Sequence, residues 1–170
     1  MEVARQAPSR VLKLVLANTG HSPLQPGELE RRQKKIADAY GNFAAMINAW
    51  LPPMIAASRH GDTRLVSNLT EMALSAGPET HERQIRALIA RPNATEYLPD
   101  LGCPILLIAG TEDQWSPVAQ HEEMQHLARQ ATLEVVSGAG HFLPVEQPDL
   151  LTGRILDWLA IDNGELDMRS

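Results

Sequence analysis

The stretch Pro104-Ile105-Leu106-Leu107-Ile108-Ala109-Gly110-Thr111-Glu112-Asp113 decides how the chain is read. Its apolar run has no polar alternation, the pattern of a parallel strand buried on both faces. A shorter run, Leu133-Glu134-Val135-Val136, stops in the same manner at Ser137-Gly138-Ala139-Gly140 and is followed by His141. Each run predicts a strand, a tight turn, and then one side chain able to do chemistry. In open parallel sheets, active groups collect just beyond the carboxyl ends of the strands. Asp113 and His141 are therefore predicted to lie at the same edge of one sheet. They are 28 residues apart, which leaves room for one crossover helix between neighbouring strands.

Upstream, Val11-Leu12-Lys13-Leu14-Val15-Leu16-Ala17 reads as a third strand, with Asn18-Thr19-Gly20 as its turn and Met1–Ala7 as the end of a helix closed by Pro8. Between the first two strands the pattern changes to helical spacing. Ile36, Tyr40, Phe43 and Ile47 share one face of a helix that begins near Glu28 and is stopped by Pro52-Pro53. Leu65, Leu69 and Met72 mark a second helix ending at Gly77, a candidate C-cap, and a third runs from Pro78-Glu79 to Ile89. This makes about 65 residues of helix where a plain crossover needs roughly a dozen. Asn93–Gly102 reads as a polar link back to the sheet. Ser116-Pro117 reads as an N-cap and first helical residue, Pro148 opens a last helix, and Asn163–Ser170 is expected to fray. The fold class is thus α/β: one domain over residues 1–170, with three parallel strands and a helical insertion at 28–92.

Composition removes several alternatives. Hydrophobic residues make up 44% and charged residues 21%, the balance of a globular chain. A net charge of −6 argues against a nucleic-acid surface. No apolar run approaches the roughly 20 residues of a membrane span, and Lys13 interrupts the only apolar stretch near the N-terminus, so a strand is preferred there to a secretory signal. The single cysteine, Cys103, excludes an internal disulfide and a cysteine metal cluster, and fits a reducing cytoplasm.

Gly110-Thr111-Glu112-Asp113, then Gly138-Ala139-Gly140-His141-Phe142 and Glu146-Gln147-Pro148, together resemble the last two catalytic turns of the α/β-hydrolase fold. The likeness covers most of the chain and is most specific in its C-terminal third. In that family the chain order is nucleophile, acid, base. The resemblance implies that Asp113 is the acid, with the adjacent Glu112 the alternative, and His141 the base. It implies that the helical insertion is a cap, or lid, over the active site. It also implies an ester or similar small-molecule acyl substrate. No G-x-S-x-G occurs in the 170 residues. Pro8-Ser9-Arg10-Val11 leading into Leu14-Val15-Leu16 resembles the segment just after the nucleophile's helix, so the nucleophile is expected before Met1. The expectation is of a partial α/β-hydrolase, inactive as an isolated chain. It would self-associate or need a chain that supplies the missing strands. The alternative is a non-catalytic protein that binds a small molecule or a partner.

The remaining candidates carry less. His21, His60, His81, His121 and His126 form no H-E-x-x-H pair and are expected at the surface, so no metal is implied. No glycine-rich phosphate loop occurs, so no nucleotide cofactor is implied either. Cys103 precedes its strand, at the wrong end of the sheet for a nucleophile. Ser137 lacks the strained strand-to-helix elbow of a nucleophile. Trp115 either lines a pocket or covers the sheet.

Overall fold

The computed structural model describes residues 1–161, and the expected fraying of Asn163–Ser170 lies outside them. Among these residues three strands form one parallel sheet in the order β1 (Leu14–Ala17), β2 (Ile105–Gly110), β3 (Ala131–Val136). Leu14 pairs with Ile105, and Ile105 with Ala131. Every residue of β2 is buried, as its unbroken apolar sequence requires of a central strand. Its side chains still alternate between faces. Ile105 and Leu107 enter a core with Leu16, Leu98, Met124 and Ala128, while Leu106 and Ile108 enter another with Val136, Leu143, Leu151 and Trp158.

Two helical layers follow from these cores. On the first face lie α1 (Glu2–Gln6), through Ala4, and α4 (Val118–Leu127), through Met124. On the second lie α5 (Leu143–Glu146) and α6 (Pro148–Ala160). Between β1 and β2 the chain forms α2 (Glu28–Trp50) and α3 (Thr63–Ile89), packed on each other. α2 kinks at Asn42. α3 kinks at Gly77, where φ is +73° and Pro78 removes the next backbone donor, as the expected helix break at this point requires. Leu51 and Ile55, in the segment joining α2 to α3, form a core with Leu65 and Leu69 of α3, against which Phe142 packs. The helical insertion therefore touches the residue next to His141. None of these helices is long and apolar enough to cross a membrane.

Three expectations shift. The first strand begins at Leu14 rather than Val11. A 3-10 turn at Pro8–Arg10 takes the Val11 N–H to the Pro8 carbonyl, and Leu12 is left 79% exposed. Lys13 turns its ammonium to the carbonyls of Leu159 and Ile161 at the end of α6, 3.1 and 2.6 Å away, where a cation complements the helix dipole. The link Asn93–Gly102 is not simply polar: two 3-10 turns there bury Ala94, Leu98 and Leu101. Ser116 does not cap α4. Pro117 holds the N-cap position, and the Ser116 N–H points instead at Asp113.

Candidate functional site

The Asp113 turn starts where β2 stops. Gly110 can end the strand here because it has no side chain: a Cβ would sit 2.3 Å from the Ala139 carbonyl oxygen, inside the neighbouring turn. Gly140 is confined in the same way, its absent Cβ 2.6 Å from Ala56 N and Met54 O. At Gly110 the turns after β2 and β3 thus meet backbone to backbone, and at Gly140 the second turn meets the backbone of Met54 and Ala56. The two turns are bonded as well: Thr111 N–H donates to Val136 O, Glu112 N–H to Ala139 O, and Gly138 N–H to the Thr111 hydroxyl, each at 2.9 Å. Asn18, after β1, bridges the same turns. Its Nδ2 donates to Gly140 O at 2.6 Å and its Oδ1 accepts from Gly110 N at 3.2 Å. To do this it adopts φ +46°, a left-handed conformation that asparagine tolerates.

This scaffold brings Asp113 and His141 together. His141 Nδ1 lies 2.9 Å from Asp113 Oδ2. Asp113 Oδ1 accepts from the backbone N–H groups of Trp115 and Ser116, at 2.8 and 2.9 Å. Asp113 is buried, its side chain 0% exposed. Burial pushes its pKa up, but the hydrogen bond with His141 and the two N–H groups outweigh burial and hold it below the usual carboxylate range. An anion that accepts two amide bonds and faces an imidazole fixes the ring in the Nδ1–H tautomer, the proton being assigned from the network. Nε2 is then the acceptor, and it makes no hydrogen bond to the described residues.

His141 faces a cleft of about 500 Å³ between the strand ends and the helices α2 and α3. Trp115 lines this cleft rather than covering the sheet, with Trp50 set edge-on at 6.1 Å. Glu112 does not compete for His141, because its carboxylate accepts from Ala57 N at 2.7 Å. Cys103 lies before β2, away from the cleft, and burial raises its thiol pKa. Ser137 offers only its carbonyl, to Gln147.

Glu146, quoted in the sequence motif without a role, acts through the backbone. It is buried, and its carboxylate accepts from Ala56 N at 2.8 Å, Gly140 N at 3.1 Å and Phe142 N at 3.1 Å. The turn before His141, the residue after it and the helical insertion are thus tied to one anion. The histidines expected at the surface divide. His60 and His126 are exposed, but His21, His81 and His121 are buried. His121 fills the space under the Asn18 turn, where its Nε2 accepts from Thr19 N at 3.3 Å, and burial lowers its pKa.

The assembly of strand-end turns has counterparts of known structure. The chain superposes on a thermophilic esterase from Thermogutta terrifontis, solved with malate bound, with a TM-score of 0.85 and 30% identity over 92% of this chain and 58% of that one. The chain belongs to the α/β-hydrolase fold superfamily. Among other α/β-hydrolases, a hydrolase from Pseudomonas aeruginosa PA01 matches with a TM-score of 0.76 and 25% identity, over 94% of this chain and 60% of that one. An enol-lactonase from Burkholderia xenovorans LB400 shares the fold at 21% identity and a TM-score of 0.83, over 94% and 60%. The chain therefore spans about 58–60% of the length of these α/β-hydrolases. No family model and no curated protein sequence matches it.

Proposed function

We propose that this chain carries the acid and the base of a hydrolase acting on an ester or similar acyl substrate. Its nucleophile and oxyanion hole would lie outside these 170 residues. The observation that carries this reading is the 2.9 Å contact between His141 Nδ1 and a buried, doubly amide-bonded Asp113, at the ends of adjacent parallel strands and over a cleft.

The roles follow from that arrangement. Asp113 holds the Nδ1–H tautomer, so that Nε2 presents its lone pair to the cleft. Nε2 takes the hydroxyl proton as a serine oxygen bonds to the substrate carbonyl carbon. The imidazolium so formed is stabilised by the Asp113 carboxylate, which stays ionised. The same proton then passes to the leaving oxygen as the acyl bond breaks, and water repeats the cycle in the second half-reaction. Helices α2 and α3 would act as a cap that shapes the cleft and limits water.

The experiment begins with the coding strand upstream of Met1, read for a G-x-S-x-G. The 170-residue chain and a version extended through that motif are then assayed with p-nitrophenyl acetate. The isolated chain is expected at background, and the extended protein is expected to turn over and to lose that turnover in His141→Ala. An extended protein that carries the serine and still lacks activity would favour the alternative, a non-catalytic binding protein. Turnover by the isolated chain, lost on His141→Ala, would place a nucleophile within these residues.

A further inference from the structure

We propose that the cleft beside His141 takes a substrate carrying a carboxylate away from the scissile bond, held by Lys35 with His81 as a second donor. The proposal rests on the hydrolase reading for what the ligand does next, but not for whether it binds.

The charges around the cleft are unbalanced in one direction. The chain is acidic overall, with net charge −6. Yet among the described residues the cleft wall holds Arg32, Lys35 and Arg91 against a single carboxylate, Glu28. Glu28 is already fully used. It accepts from Arg32 Nε at 2.6 Å, from Arg91 Nη1 and Nη2 at 3.0 and 2.9 Å, and from Gln25 N at 2.8 Å. Lys35, one helical turn from Arg32 on α2, has no counterion among the described residues. Its ammonium makes no hydrogen bond or ion pair with the described residues and rests 4.2 Å from the centre of the Trp115 ring. That cation–π contact explains where the side chain lies, but an indole face accepts no conventional hydrogen bond from the three N–H donors. Burial, and then Arg32, pull the Lys35 pKa below its ordinary value, and an anion bound beside it would oppose that shift.

His81 supplies the second observation. It lines the same cleft from α3, is 9% exposed, and its buried Nε2 has no hydrogen-bond partner among the described residues. Its ring meets Phe43 edge-on at 5.9 Å, which satisfies neither nitrogen. Buried imidazole nitrogens are normally bonded, so a partnerless His81 Nε2 in the wall of the cleft that Lys35 also lines leaves, in its Nε2–H tautomer, a donor in want of an acceptor. A carboxylate held by Lys35 would offer that acceptor once the His81 ring turns toward the cleft. Trp115 connects this place to the candidate acid, because its ring lies under Lys35 and its backbone N–H donates to Asp113. Bound there, a carboxylate would sit on the cation-lined wall of the cleft that His141 also faces.

The test uses the 170-residue chain and needs no turnover. Monomethyl succinate, which has one free carboxylate, and dimethyl succinate, which has none, are titrated while the indole N–H signal of Trp115 is followed by NMR. The monoester should bind at least about tenfold more tightly, the scale of one charge-assisted hydrogen bond. Lys35→Met should reduce the ratio to near one, Lys35→Arg should keep most of it, and His81→Ala should reduce it several-fold. A failed hydrolase reading shows in the turnover of the extended protein and a failed anion site in this binding ratio, so the two give different results. Equal binding of the two esters, no saturable shift with either, or a preference that survives Lys35→Met would overturn the proposal. Should Lys35→Met prove unfolded by its amide spectrum, Lys35→Gln and His81→Ala decide the matter on the same criterion.

Discussion

Replacing Glu146 should cost this chain more stability than any other single change to the loops around the candidate site. Its carboxylate accepts three backbone N–H groups: Oε2 takes Ala56 and Gly140, and Oε1 takes Phe142. A buried donor left without a partner costs about 1–3 kcal/mol. Glu146→Ala strands all three, although one is only part-buried and the loops can relax, so a loss of about 3–5 kcal/mol is expected. Against a typical domain stability of roughly 5–15 kcal/mol, that brings the chain close to unfolding. Glu146→Gln can keep its oxygen on Ala56 and Gly140 but sets an NH2 group against the Phe142 N–H, for a loss of about 1–3 kcal/mol. Urea denaturation at neutral pH, followed by circular dichroism, should therefore rank wild type above Gln and Gln above Ala. If both variants unfold within about 0.5 kcal/mol of wild type, the carboxylate is not what holds the His141 turn, and the reasoning fails.

Glu28 gives the chain a pH-dependent term. The hydrogen bond from Arg91, opposed by burial and supported by Gln25 N and Arg32, lowers its pKa from 4.5 to about 2. A depressed carboxylate stabilises the fold above its unfolded pKa and loses that contribution as pH falls through the folded one. Glu28→Gln should thus be less stable than wild type at neutral pH and should show a flatter decline between about pH 4.5 and 2; superimposable acid-unfolding curves would contradict this. The sheet edge gives another outcome: β1 is paired on one side only among the described residues, and an open edge invites pairing with another chain. Analytical ultracentrifugation at micromolar concentration should find species above the monomer mass, whereas one sharp monomer that unfolds cooperatively would count against it.

What could be read in the sequence was what local pattern encodes. β2 was visible because a strand covered on both faces needs five or six consecutive apolar residues, and Ile105–Ala109 supply them. Asp113 and His141 were visible because each follows a strand and a glycine turn. The helical insertion showed in its spacing, and its breaks in Pro52-Pro53 and Gly77-Pro78. Long-range partners had no such pattern. Glu146 bonds Ala56 across 90 residues, and Asn18 bonds Gly140 across 122, and neither side chain differs in type from an ordinary surface residue. His81 and His121 read as surface residues because burial of a polar ring depends on what packs over it. Val11-Leu12 reads as strand by composition, but the strand starts only where Leu14 meets Pro104 and Ile105.

The pairing of Asp113 with His141 can be measured without any turnover, through the ring nitrogens of 15N-labelled histidine. With the imidazole neutral, His141 in the wild-type chain should show a protonated Nδ1 and an unprotonated Nε2, and Asp113→Asn should abolish that preference. A wild-type His141 that is protonated on Nε2, or that averages between tautomers and does not respond to Asp113→Asn, would contradict the oriented acid–base pair on which the functional reading stands.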